Sequence, residues 1–152
     1  MSRETDAATS TVQVDAVPFP NGGEWVRADF HLHTKADKEF SYSGDADRFS
    51  TDYVNRLEQA AIQLGVVTNH NKFDLGEFKA LRRRARRKGI GLLPGVELSV
   101  NDGANGVHTL IVFSDEWIAE GQDYINQFLN VAFSGKLQRS MNKRMAVRTT
   151  IS

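Results

Sequence analysis

Cysteine is absent from this chain, which excludes disulfides, thiolate metal sites and thiol nucleophiles together. An excess charge is absent too: Lys plus Arg number 19, and so do Asp plus Glu, so overall charge points to neither nucleic acid nor a membrane surface. No apolar run approaches a bilayer-spanning length. The opening Met1-Ser2-Arg3-Glu4-Thr5-Asp6 carries acids early and leads into no apolar segment, unlike a secretory signal. A soluble, cytoplasmic protein with no membrane partner is the expectation. Any metal site must use His, Asp and Glu, which suits Zn, Mn or Fe. Histidine is scarce as well, four in all, and its placement is the most informative feature present.

With 152 residues, 40% of them hydrophobic, the chain is long enough for one modest domain with a core. Residues 1–23, rich in Ser, Thr, Asp and Ala and ending in Pro18, Pro20, Gly22 and Gly23, read as a flexible lead-in. Trp25 to Leu32 reads as the first strand. The polar stretch from Thr34 to Ser50 reads as a long loop leaving its end. A helix capped by Ser50 or Thr51 follows, with Val54, Leu57, Ala61 and Leu64 at helical spacing and Gly65 closing it. Val66-Val67-Thr68 is a short buried strand that delivers Asn69-His70-Asn71. Asp74 with Glu77 forms a capping-box pattern for the next helix, whose stripe is Leu75, Phe78, Leu81 and Ala85 and whose stop is Gly89. Ile90–Leu93 is the third strand, followed by Pro94-Gly95-Val96-Glu97-Leu98. After the turn at 101–106 comes the fourth run, Val107–Phe113, and then a helix from about Asp115 to Phe133, with Gly121 as a possible break. The order β-α-β-α-β-β-α argues an α/β fold with parallel strands and right-handed crossovers. The segment 134–152 is basic, contains no acid and lacks helical spacing, so it reads as a disordered or weakly docked tail.

In the strand Ala28-Asp29-Phe30-His31-Leu32-His33, side chains alternate, so Asp29, His31 and His33 share one face. Reactive groups of α/β sheets gather where strands end. His31 and His33 end the first strand, His70 ends the second, and Glu97 follows the third. His108 opens its apolar run instead of closing it; a hairpin of 96–100 with 107–113 would let it face the same pocket as Glu97. Several His with a bridging carboxylate can hold two metal ions roughly 3.5–4 Å apart and lower the pKa of bound water from about 15.7 to about 7, which suits attack on phosphorus. Asp29 would then be an outer partner fixing an imidazole tautomer. Two other features read as ordinary. The run Arg82 to Lys88 complements a helix C-terminus more readily than it binds nucleic acid. The segment 101–106 is a turn, not a phosphate loop.

The elements Asp29-Phe30-His31-Leu32-His33-Thr34, Thr68-Asn69-His70-Asn71, Gly95-Val96-Glu97-Leu98 and Val107-His108-Thr109-Leu110, in this order and spacing, resemble the first four motifs of the polymerase-and-histidinol-phosphatase (PHP) family. The resemblance covers roughly residues 25–133 and makes 24–133 a partial PHP metal-binding domain. It implies a distorted seven-stranded β/α barrel, of which about four strands are present, a centre of two or three divalent ions, and phosphoester hydrolysis by metal-bound hydroxide. Carried over by motif, His31 and His33 would bind one ion, Glu97 would bridge, and His70 and His108 would serve neighbouring ions. Glu97 and His70 would be the catalytic residues. Asp37, with Glu39 second, is the candidate for a further loop ligand. Asn69 stands where the family more often has Asp and, with Asp29, would be an outer partner of the metal site. The family's later His and Asp-x-His ligands have no counterpart here, which counts against activity of this chain alone. The opening 23–29 and the long loop resemble bacterial proteins in which a PHP domain precedes an ATPase domain, so this chain reads as the front part of such a protein, diverging after about Lys136. The substrate class implied is a phosphomonoester, nucleotide or nucleic-acid end. The competing readings are a non-catalytic fragment or accessory domain of an ATPase, and an amidohydrolase-type barrel, which also begins with His-x-His but lacks the Gly-x-Glu and Thr-Asn-His-Asn elements.

Overall fold

The computed structural model describes residues 23, 25–100 and 107–134. The expectations for the lead-in over 1–22, the turn at 101–106 and the basic segment beyond 134 lie outside the described residues.

Four strands build one sheet in the order β1-β2-β3-β4: β1 Ala28–Leu32, β2 Leu64–Val67, β3 Gly91–Val100 and β4 Val107–Val112. β1, β2 and β3 run parallel, joined by helical crossovers, whereas β4 is antiparallel to β3. The hairpin left open by the sequence is therefore formed, with Glu97 opposite Leu110 and Ser99 opposite His108. The result is a mixed four-stranded sheet with helices, a partial α/β barrel. Both sheet edges are free among the described residues, and Phe30, Val107, Leu110 and Val112 are exposed on them.

Two short helices cover the sheet. α1, Phe49–Gln59, buries Phe49, Val54 and Leu57 and is led in by a 3-10 turn at Ala46–Arg48. Neither Ser50 nor Thr51 caps it: the helix starts earlier, at Phe49, and Arg48 takes the cap position without a side-chain bond. Its C-terminus also differs from the expectation. Ala61 turns into the left-handed region (φ 55°), and Ile62 N–H donates to the Leu57 carbonyl (2.9 Å) while Ala61 N–H donates to that of Glu58 (2.9 Å). This is a Schellman closure with alanine where glycine is usual. Gly65 instead lies inside β2, beneath the side chains of Leu32 and Leu92. α2, Leu75–Arg86, buries Phe78, Leu81 and Ala85 and closes as expected at Gly89 (φ 70°). The long final helix is two pieces, a 3-10 stretch Asp115–Gly121 and a helix α3 over 124–134, because Glu120 and Gly121 both take positive φ.

The third strand is longer than the sequence suggests. At Pro94 the pairing passes from β2 (Val67 opposite Pro94) to β4 (Gly95 opposite Val112), so the proline sits where one ladder ends and the next begins. A Cβ on Gly95 would lie 2.7 Å from Val66 Cγ1, 2.8 Å from the Ile111 carbonyl and 2.9 Å from Thr68 Cγ2. Only glycine fits that crossing. The core lies between helices and sheet: Val54, Leu57, Phe78 and Leu81 pack with Val67, Leu92 and Val96, and Ile118, Ile125 and Leu129 extend it. Trp117 and Phe128 are partly buried against it. Among the described residues no helix is long and apolar enough to cross a membrane.

Candidate metal centre

Glu97 is the centre of the arrangement because β3 is an inner strand and its side chain is 1% exposed. β2 pairs with β3 past its own end through an isolated bridge between His70 and Glu97, in which Glu97 N–H donates to the Asn69 carbonyl (3.1 Å) and Asn71 N–H to that of Glu97 (2.8 Å). That bridge carries His70 to the carboxylate. Glu97 Oε2 lies 2.7 Å from His31 Nε2, 3.4 Å from His33 Nε2 and 3.2 Å from His70 Nε2. Its other oxygen contacts His108 Nδ1 from across the hairpin. The rings of His33 and His70 stack with centroids 4.7 Å apart.

Asp37 forms the second focus. The turn after β1, with Asp37 N–H donating to the Thr34 carbonyl (2.9 Å), brings it back beneath the rings. Its Oδ2 accepts from His33 Nδ1 (2.8 Å), His70 Nδ1 (2.9 Å) and the His70 backbone N–H (2.6 Å), and its Oδ1 from Glu39 N–H (2.9 Å). Burial pushes the Asp37 carboxyl up, but these N–H groups outweigh it and hold the group well below the ordinary carboxylate range. Glu97 behaves alike: burial raises it, and hydrogen bonds from His31 and His108 together with the charge of His70 lower it. Two buried anions therefore face four imidazoles.

The bonding direction tests whether a cation belongs here. A carboxylate only accepts, so the Nδ1 atoms of His33 and His70 carry the protons that Asp37 receives. A ring that carries only that proton presents an Nε2 lone pair to Glu97 Oε2, acceptor against acceptor at 3.4 and 3.2 Å, whereas a doubly protonated ring donates to it. In the singly protonated form a cation between these atoms would resolve the opposition. Three sets of donors converge within 4.8 Å of one another: His31, His33 and Glu97; His33, Asp37 and His70; His70, Glu97 and His108. Imidazole and carboxylate are the ligands that Zn, Mn and Fe accept, and such a set could hold a divalent ion.

The remaining expected residues take other places. Glu39 is largely exposed, its Oε2 4.0 Å from His70 Nε2. Asp29 Oδ1 accepts from the His31 backbone N–H (3.0 Å), not from an imidazole. Asn69 is buried and bonds Thr34. Thr34, Glu77 and Asn71 carry little site signal in the sequence; Asn71 Oδ1 accepts from Ser99 N–H at 3.0 Å. The first two join Asn69 in one buried network, and their only local signals are that Thr34 follows His33 and that Glu77 occupies the first turn of α2. Beside His31 and His33 a cavity of about 1040 Å³ runs along β1 past Asp29 to Arg27, walled by Tyr53 and Arg56 of α1.

No family model and no curated protein matches this sequence. Solved structures do. A candidate metal-dependent phosphoesterase from Bifidobacterium adolescentis is 16% identical with a TM-score of 0.50, over 83% of this chain and 41% of its own. An amidohydrolase from Chromobacterium violaceum, solved with sulfate and without metal, is 23% identical with a TM-score of 0.49, over 84% of this chain and 41% of its own. The chain thus spans about two-fifths of the length of each. What the first likeness supports is the fold, a partial α/β barrel.

Proposed function

We propose that this chain is the metal-binding part of a divalent-metal-dependent phosphoesterase of the PHP type. The observation that carries this reading is the convergence of four imidazoles on the buried Glu97 carboxylate, with ligand atoms in three sets within 4.8 Å of one another. His31, His33, His70, His108 and Glu97 would hold the ions. Asp37 fixes the tautomer of His33 and His70 by taking both Nδ1 protons and so aims their Nε2 atoms. Divalent ions held there would supply Lewis acidity toward phosphate oxygens and water. No serine or cysteine nucleophile is then needed. The cavity beside His31 and His33 would take the remainder of the ester.

Metal content after dialysis against Mn²⁺ or Zn²⁺, followed by phosphomonoester hydrolysis, tests the reading. Binding that is lost in His70→Ala and Glu97→Gln supports it. A folded chain that takes up neither ion defeats it, and turnover of an amide in place of a phosphate ester would reassign the chemistry.

A further inference from the structure

Thr34 is 1% exposed and sits directly after His33. Its backbone N–H donates to Asn69 Oδ1 (2.8 Å), and because an N–H can only donate, this contact fixes which way the Asn69 amide faces. The amide nitrogen is thereby turned to Thr34 Oγ1, to which it donates at 2.9 Å. The single proton of that hydroxyl goes to Glu77 Oε1. The same carboxylate oxygen lies 3.4 Å from Ala36 N–H. Glu77 therefore does not complete a capping box. Its own N–H is capped by Asp74 (2.9 Å), while its carboxylate leaves α2 and reaches the turn that carries Asp37. Asn69 meanwhile ties to β3 through its carbonyl and Glu97 N–H.

We propose that Asn69 and Glu77 are positioning residues for the metal centre, acting through Thr34, and that the one-way chain Asn69 to Thr34 to Glu77 holds the 34–37 turn against His70. The proposal rests on the metal-centre reading above for its consequence, but not for its geometry. The chain has a direction. One hydroxyl proton cannot satisfy two carboxylates, so an Asp at position 69 would set an oxygen against the Thr34 oxygen whose proton is already committed to Glu77. Replacing Glu77 by Gln lets the chain run backwards: the Gln amide donates to Thr34 Oγ1 and the hydroxyl donates to the Asp carboxylate, at the loss of the long 3.4 Å contact from Ala36 N–H. The unfavourable substitution is thus corrected by a second change one helix away.

The test compares Asn69→Asp, Glu77→Gln and the double variant in the full chain. It uses metal-free thermal unfolding and calorimetric titration with Mn²⁺. Asn69→Asp is expected to lower the unfolding temperature and, despite an added negative charge that by itself favours a cation, to weaken Mn²⁺ binding about tenfold through the displaced 34–37 turn. Glu77→Gln alone, which leaves an acceptor facing the hydroxyl, has the smaller effect. The double variant recovers most of both losses, a result that independent structural damage would not give. An Asn69→Asp chain indistinguishable from the parent, or a double variant as impaired as the sum of the singles, overturns the proposal. If Asn69→Asp does not fold, folding of the double variant still supports it and failure of both to fold overturns it. Should the parent bind no Mn²⁺, the metal reading fails, and the unfolding data alone decide the direction of the network.

Discussion

Asp37→Asn is the sharpest single perturbation of the centre, because it keeps the shape and removes the charge. Four N–H groups converge on this carboxylate, three on Oδ2 and one on Oδ1. An amide can accept on one side only. The least damaging orientation keeps its oxygen toward His33 and His70 and turns its NH₂ toward the Glu39 N–H, donor against donor. Leaving the part-buried Glu39 N–H facing a donor costs about 1 kcal/mol, the low end of the range for an unpaired group, and three charge-assisted bonds fall to roughly half strength. Together these predict a loss of about 2–4 kcal/mol in the metal-free chain. The acid limb should change as well. A carboxylate held below its unfolded value contributes stability that is complete above the unfolded pKa of about 3.9 and is lost as pH falls through the folded one. In the parent, Asp37 and Glu97 both follow this sign. Urea unfolding of metal-free protein at neutral pH and at steps below pH about 4 should show the parent weakening and Asp37→Asn weakening less steeply. A variant within about 0.5 kcal/mol of the parent, the level expected of an inert surface change, or one with the same acid slope, would refute the bonding assigned to Asp37.

Further outcomes follow from the same structure. Ala61→Gly should raise stability by about 0.5–1 kcal/mol, since alanine at φ 55° pays a left-handed penalty that glycine does not; chemical denaturation reads this directly. Gly95→Ala should cost about 1–3 kcal/mol, because one of the three contacts it creates is to the Ile111 backbone and cannot swing away. Its metal affinity should fall too, as Glu97 is two residues on. Mn²⁺ or Zn²⁺ should raise the unfolding temperature, and a chelator reverse it; at about 100 times Kd the gain is about 2.7 kcal/mol. His108→Ala should diminish that gain less than His70→Ala, since the side chain of His108 is 58% exposed and that of His70 14%.

The parts of this site legible in the sequence are those governed by a short period. Alternation along a strand puts His31 and His33 at the C-terminal end of β1, and the hairpin that pairs Ser99 with His108 sets His108 on the face of Glu97. Apolar spacing located α1 and α2, and Gly89 marked the end of α2 through its positive φ. The same rule failed at α1, where alanine tolerates the left-handed position and the nearby Gly65 is needed for packing instead. Asp37 and Glu39 could not be separated locally, because the choice depends on which carboxylate the turn folds under His70. The network of Asn69, Thr34 and Glu77 was illegible for a related reason. Its partners lie 35 and 43 residues apart, and each residue has a local explanation that hides its distant one.

The centre is not uniformly rigid, and this determines where its affinity must come from. Glu97, Asp37 and His70 belong to the inner strands or to the turn clamped by α2, and each is buried or nearly so. Their positions are over-determined by backbone bridges and by bonds to both ends of the carboxylates. His31 and His108 project from β1 and β4, the two edges without a neighbour among the described residues, and about half of each side chain is exposed. Ordering a half-exposed imidazole on an edge strand costs side-chain entropy when an ion binds, whereas a preorganised one does not. An ion held by the inner groups should therefore bind more tightly than one that depends on His31 or His108, and the difference should shrink if either edge strand acquires a neighbour.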